Sequence, residues 1–131
     1  MATRYFTPEE ANELLAAIRP LTERMVEHRG RLLEAQRRQA ELSQTIMGNG
    51  GLQLGELRAV HQRIEREAAG VARCLEAIHE LGAVVKDTGR GLVDFPARRE
   101  DEDVLLCWQL GEAEIAHWHG LEEGFQGRKP L

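Results

Sequence analysis

Two heptad-spaced apolar stripes, one on each side of Gly48-Asn49-Gly50-Gly51, constrain this chain more than any other feature. Ala11, Leu14, Ile18, Leu21, Met25, Leu32, Ala35, Leu42 and Ile46 hold one phase before the glycines. Leu54, Leu57, Ile64, Ala68, Val71, Leu75 and Ile78 hold one phase after them. Side chains with this period bury together when both segments are helical and face each other. The glycine-rich step is then a hairpin turn. It follows a helix and lacks the Lys and Ser/Thr of a phosphate loop. Folding about Gly50 sets Ile46 against Leu54, Leu42 against Leu57, Leu32 against Ala68, Met25 against Leu75 and Leu21 against Ile78. The same register pairs Gln39 with His61 inside the seam and brings His28 near Val71, polar positions that penalise slipped registers.

The first helix starts at a capping box. Thr7 caps, Pro8 suits the first helical position, and Glu10 completes the box beside Glu9. Pro20 removes one backbone donor from the helix interior. The heptad phase runs through it unshifted, so one kinked helix is expected rather than two. The second helix is expected over 54–81, with Gly82 as its C-terminal glycine.

Beyond Gly82 the pattern changes. Ala83-Val84-Val85-Lys86, Leu92-Val93-Asp94-Phe95 and Val104-Leu105-Leu106-Cys107-Trp108 read as short strands. Turn chemistry at Asp87–Gly91 separates the first two, Pro96 closes the second, and a charged loop spans Arg98 to Asp103. A turn at Leu110-Gly111 or Gly111-Glu112 returns the chain as a fourth strand from Ala113 to His119, with a helix as the alternative. The tail from Gly124 to Leu131 lacks the apolar residues of a regular element; Phe125 either packs back on the sheet or serves as a docking tail. The expectation is one α+β domain over 1–131: a long antiparallel helical hairpin, about 7–82, with a small antiparallel β-meander at its open end.

Several of these segments together resemble a known family. Gly91-Leu92-Val93-Asp94-Phe95-Pro96-Ala97, Leu106-Cys107-Trp108-Gln109-Leu110-Gly111-Glu112, Trp118-His119 and Gly124-Phe125-Gln126-Gly127-Arg128 with Pro130 are similar to the bacterial domain-of-unknown-function family numbered 2203. Tyr5-Phe6-Thr7-Pro8-Glu9-Glu10-Ala11 and Val85-Lys86-Asp87 fit it too. The resemblance implies a small intracellular bacterial protein with a helical N-terminal half. It supplies no activity and no site residue.

Charge argues against a nucleic-acid partner. The formal net charge is −5, and the arginines are interspersed with glutamates rather than gathered in a basic arm. Met1 leads into a polar segment, and no stretch is apolar enough for a membrane span. Cys74 and Cys107 stand apart as reduced thiols of a cytoplasmic protein.

Three functional readings remain. The first is a non-catalytic interaction or scaffolding module. Val26, Leu33, Ala40 and Met47 form a second apolar line on the first helix, and a homodimer joined through it is the plainest outcome. The second is a metal site. His117 and His119, two apart on a strand, project from one face and suit Zn, Fe, Ni or Cu. Asp94, Glu122 and Glu123 are candidates to complete the set. A two-residue turn puts Cys107 on the opposite face from the histidines, as regular alternation does for Glu114; only an odd-length connection brings Cys107 across. The third is an enzyme using Asp94, Arg98 and the histidines in a cleft between sheet and hairpin. No nucleophile stands at recognisable spacing, so the balance falls toward a protein that is not an enzyme.

Overall fold

The computed structural model describes residues 4–49 and 54–131, with the side chains of 46–49 outside the description. Helix α1 spans Pro8–Asn49 and α2 spans Leu54–Glu80. They are followed by β1 (Val84–Asp87), β2 (Leu92–Arg99), β3 (Glu102–Gln109), β4 (His117–Gly120), a 3₁₀ turn (Phe125–Gly127) and β5 (Lys129–Pro130). The strands form one antiparallel sheet in chain order. The architecture is the expected α+β hairpin with a β-meander, enlarged by a fifth strand in the tail.

The helix ends form as their residues dictate. The Thr7 hydroxyl accepts the Glu10 N–H at 3.1 Å, and the Glu10 carboxylate accepts the Thr7 N–H at 2.9 Å. Gly82 has φ +99°, which lets the Ala83 N–H reach back to the Ile78 carbonyl and close α2. Pro20 lies within α1 on its exposed side, and the helix continues past it unbroken.

The seam keeps the mirror about Gly50 only in part: Leu42 and Leu57 share one apolar cluster, and Leu21, Met25, Leu75 and Ile78 share another. On α2 the buried residues are Val60, Gly70, Val71, Cys74 and Ile78, whereas Leu54 and Ala68 are exposed. His61 also points to solvent, where it meets Glu65 on its own helix. Gln39 and His61 therefore do not pair within the seam. His28 instead lies over Gly70 and bonds Glu67. Nearer the sheet, Leu15 and Thr22 join the buried stripe of α1 alongside Ala11, Ile18 and Met25. The reason is geometric: there α1 meets both α2 and the sheet, so its apolar face must be wider than a two-helix seam. The expected Ile46–Leu54 contact and the turn at Gly50-Gly51 lie outside the described residues.

One face of the sheet completes the core. Val93, Phe95, Ala97, Val104, Leu106 and Trp108 share an apolar cluster with Leu15, Ile18, Met25, Val71 and Ile78. Pro96 does not end β2, which continues to Arg99. The Pro96 carbonyl accepts the Phe6 N–H at 2.8 Å. Its nitrogen therefore also faces the side away from β3, where a missing donor costs no ladder bond. The expected charged loop is a tight turn instead. Arg99 pairs with Glu102, and Glu100 and Asp101 between them have φ of 52° and 66°.

The connection from β3 to β4 decides what the other face carries. Residues 113–116 are neither strand nor helix. Asn12 bonds the Ile115 backbone, its side-chain oxygen accepting the N–H at 2.7 Å, and Arg19 donates to the Glu112 and Ala113 carbonyls. These anchors hold the loop on α1 and shorten β4. Among the described residues, no helix is long and apolar enough to cross a membrane.

Candidate functional site

The face of the sheet turned away from the helices carries its polar residues. Strand alternation puts Asp94 opposite the Val93 and Phe95 side chains that enter the core. Asp94 pairs with Cys107 across β2 and β3, and Cys107 pairs with His117 across β3 and β4. The connection between β3 and β4, residues 110–116, has odd length. Cys107 thus shares the face of His117 and His119, contrary to the two-residue-turn expectation. A turn does form at Gly111, with φ +107°, but the anchored loop beyond it changes the parity.

Asp94, Cys107 and His119 meet on this face. One ligand atom from each lies within 4.8 Å of the others, and all three residues are buried. Asp94 is only 1% exposed and His119 only 3%. His119 Nε2 is 3.0 Å from Asp94 Oδ2, while Nδ1 is 2.8 Å from the Gly120 carbonyl oxygen. A carbonyl can only accept, so Nδ1 carries a proton. That fixes the ring and turns Nε2 toward the cluster. The second carboxylate oxygen, Asp94 Oδ1, is buried without a hydrogen-bond partner among the described residues.

Burial governs the protonation of the group. It raises the Asp94 carboxyl above the ordinary carboxylate range, against the pull of His119 and Lys86. Burial likewise pushes the Cys107 thiol up to about 12, with the Asp94 charge adding to the shift. Such a thiol is a poor nucleophile, and both His119 nitrogens already face oxygen atoms. The geometry does not describe a base poised to activate Cys107.

A cavity of about 140 Å³ opens beside the cluster. Asp94, Cys107 and His119 line it together with Lys86, Leu92, Leu105, Leu121, Glu123 and Phe125. The tail supplies part of its wall, so Phe125 packs back on the sheet. Its ring sits between the Arg90 and Arg128 guanidinium groups, at 4.9 and 4.6 Å from the ring centroid.

The other expected site residues lie elsewhere. His117 shares the face, but its Nδ1 meets Arg128, which also binds Glu112 at 2.6 Å. Glu114 and Glu122 are exposed, and Arg98 pairs with Asp103 at 3.0 Å. The space between sheet and hairpin is apolar core, so Asp94, Arg98 and the histidines form no cleft there. On α1, Val26 packs against the main core while Leu33 and Ala40 are exposed; the Met47 side chain lies outside the described residues.

The sequence pattern of an uncharacterised conserved protein family, domain of unknown function 2203, matches residues 4–131. The chain belongs to this family. The match covers both the hairpin and the sheet. No curated protein and no solved structure shows a significant match to the chain.

Proposed function

We propose that this family member binds one divalent transition-metal ion, with Zn²⁺ the best fit, through Asp94, Cys107 and His119. The observation that carries the reading is the convergence of a carboxylate, a thiol and an imidazole, all buried, within 4.8 Å. Each is an established donor type for zinc, and a His whose Nδ1 proton is held by a backbone carbonyl presents Nε2 as a ligand. Bonds of about 2.0–2.3 Å in a tetrahedral site place ligand atoms roughly 3.3–3.8 Å apart, so closure requires side-chain movement of about an ångström. Asp94 Oδ1 favours the same reading: it meets no nitrogen or oxygen donor, and the neighbouring Cys107 thiol is a weak one, so a cation compensates the buried carboxylate better. Three protein ligands would leave one position of a tetrahedral ion free, and the same three residues line the cavity from which an outside ligand could reach it. A thiolate ligand suits a reducing compartment, which favours the cytoplasm.

The test is the metal content of untagged protein purified without chelators, read by inductively coupled plasma mass spectrometry. The expected result is close to one ion per chain, lost in His119→Ala and in Cys107→Ser but kept in His117→Ala. Protein that carries no ion and takes up none on titration with Zn²⁺ overturns the reading.

A second reading is self-association of the hairpin with a second copy of the chain. Away from the sheet the helices bury only Ala35, Leu42 and Val60 among the described residues, while Leu33 remains 46% exposed nearby. A two-helix ribbon with so thin a core gains most from a partner ribbon. Light scattering on wild type and Leu33→Glu tests it: a dimer reduced to a monomer supports the reading, and a monomeric wild type contradicts it.

A further inference from the structure

We propose that the cavity beside Asp94, Cys107 and His119 is a binding site for a small monocarboxylate of two or three carbons, held between the metal ion and Lys86. The inference rests on the metal reading and specifies what occupies the open coordination position.

Size sets the first limit. The cavity measures about 140 Å³. A cavity of about 150 Å³ holds a molecule the size of benzene, so the occupant has about six non-hydrogen atoms. A nucleotide or an extended cofactor does not fit.

Charge sets the second. A divalent ion bound to the Asp94 carboxylate and the Cys107 thiolate is electrically neutral as a unit. Lys86 then supplies the unmatched positive charge of the lining. Glu123 is already committed: one carboxylate oxygen accepts the Lys129 ammonium and the Gly120 N–H, each at 2.8 Å. The balance favours a single negative charge.

The walls set the third. Leu92, Leu105, Leu121 and Phe125 face the same space. An inorganic oxyanion leaves these surfaces wet, whereas a carboxylate with a short carbon tail covers them while its oxygens reach the ion and Lys86. Polar recognition at one end and apolar packing at the other describe one small amphiphilic anion.

Full-length protein loaded with Co²⁺ provides the test, because thiolate-to-cobalt absorption reports occupancy before any anion is added. Propionate and phosphate are then titrated separately and the visible cobalt bands followed. The expected result is a saturable shift with propionate and none with phosphate at the same concentration. Lys86→Met is expected to weaken propionate at least tenfold with Co²⁺ affinity unchanged, and Lys86→Arg to restore it. Cobalt-loaded protein that ignores propionate, responds equally to phosphate, or binds propionate normally in Lys86→Met overturns the carboxylate site and leaves the metal reading standing. Failure to take up Co²⁺ overturns both.

Discussion

His119 Nε2 lies 3.0 Å from Asp94 Oδ2 in a site where the two side chains are 4% and 1% exposed. With Nδ1 bound to a carbonyl, the contact between Nε2 and Oδ2 must itself hold a proton, and a metal ion bound there takes its place. The pair is an expense to the metal-free fold. Burial raises the Asp94 carboxyl, so the folded state retains its proton at a pH where the unfolded chain has released it. Stability linked to Asp94 is complete below its unfolded value and declines as pH rises through its raised folded value.

Asp94→Asn is therefore expected to separate stability from metal binding. The Asn amide can donate to Nε2 of a neutral His119 and carries no buried charge. Metal-free Asp94→Asn should melt at or above wild type at neutral pH, and the gap should close on acidification toward about pH 4. Its Zn²⁺ affinity should fall roughly a hundredfold or more. Calorimetry of chelator-treated protein, followed by competitive metal titration, checks both halves.

Metal uptake should release protons. Cys107, whose thiol burial pushes up to about 12, must become a thiolate, and the proton between Asp94 and His119 must leave. Both ligand protons are bound in the free protein and absent from the complex, so affinity should strengthen with rising pH. The gain approaches roughly a hundredfold per pH unit where both groups are protonated in the free protein. Isothermal calorimetry in buffers of different ionisation enthalpy counts the protons. A count near two per ion is expected, and a count near zero contradicts the ligand set.

Phe125 should control access rather than affinity. Its ring is held between Arg90 and Arg128 and lines the cavity wall. Each such contact is worth about 0.5–1 kcal/mol near the surface, so losing both makes local opening about 5- to 30-fold easier. Phe125→Ala is expected to release metal to a chelator faster by that factor, with equilibrium affinity changed by less than about threefold. Stopped-flow transfer of Zn²⁺ to a chromophoric chelator measures the rate.

The hairpin is legible because helix periodicity and capping are local properties. Thr7, Glu10 and Gly82 announce their roles within a few residues, and each makes the expected bond. The seam residues Leu15 and Thr22 are not legible in this way, because their burial depends on how α1 is shared between α2 and the sheet; Val60 is buried instead by Ala35 and Leu42, through a helix register that differs from the mirror about Gly50. The site depends on a longer-range choice still. Cys107 reaches the histidine face only because the connection to β4 has odd length. That connection is fixed by Asn12 and Arg19 about a hundred positions earlier in the chain. His119 is visible as a candidate from strand alternation, and Asp94 only as a carboxylate nearby in sequence that could complete the set. The diversion of His117 to Arg128 is set by the return of the tail as β5, which composition alone does not announce.

Gly70 is where the two helices approach most revealingly. A Cβ at Gly70 would lie 2.5 Å from His28 Nδ1, well inside contact distance. The ring is held there by Glu67, whose carboxylate oxygen is 2.7 Å from Nδ1 while its second oxygen accepts from Arg31 at 3.0 Å. Gly70→Ala gains about 1 kcal/mol of helix propensity, but displacing His28 forfeits a charge-assisted hydrogen bond worth about 1.5–3 kcal/mol. The net expectation is destabilisation by about 1 kcal/mol at neutral pH, seen as a lower urea midpoint. The His28 hydrogen bond, ahead of Arg31, holds Glu67 below the ordinary carboxylate range. Its contribution is present above the unfolded Glu value and fades as pH falls through the lowered folded value. The gap between wild type and Gly70→Ala should accordingly narrow in acid. A gap that stays constant from neutral pH down to about pH 3 assigns the loss to steric crowding alone and not to the His28–Glu67 bond.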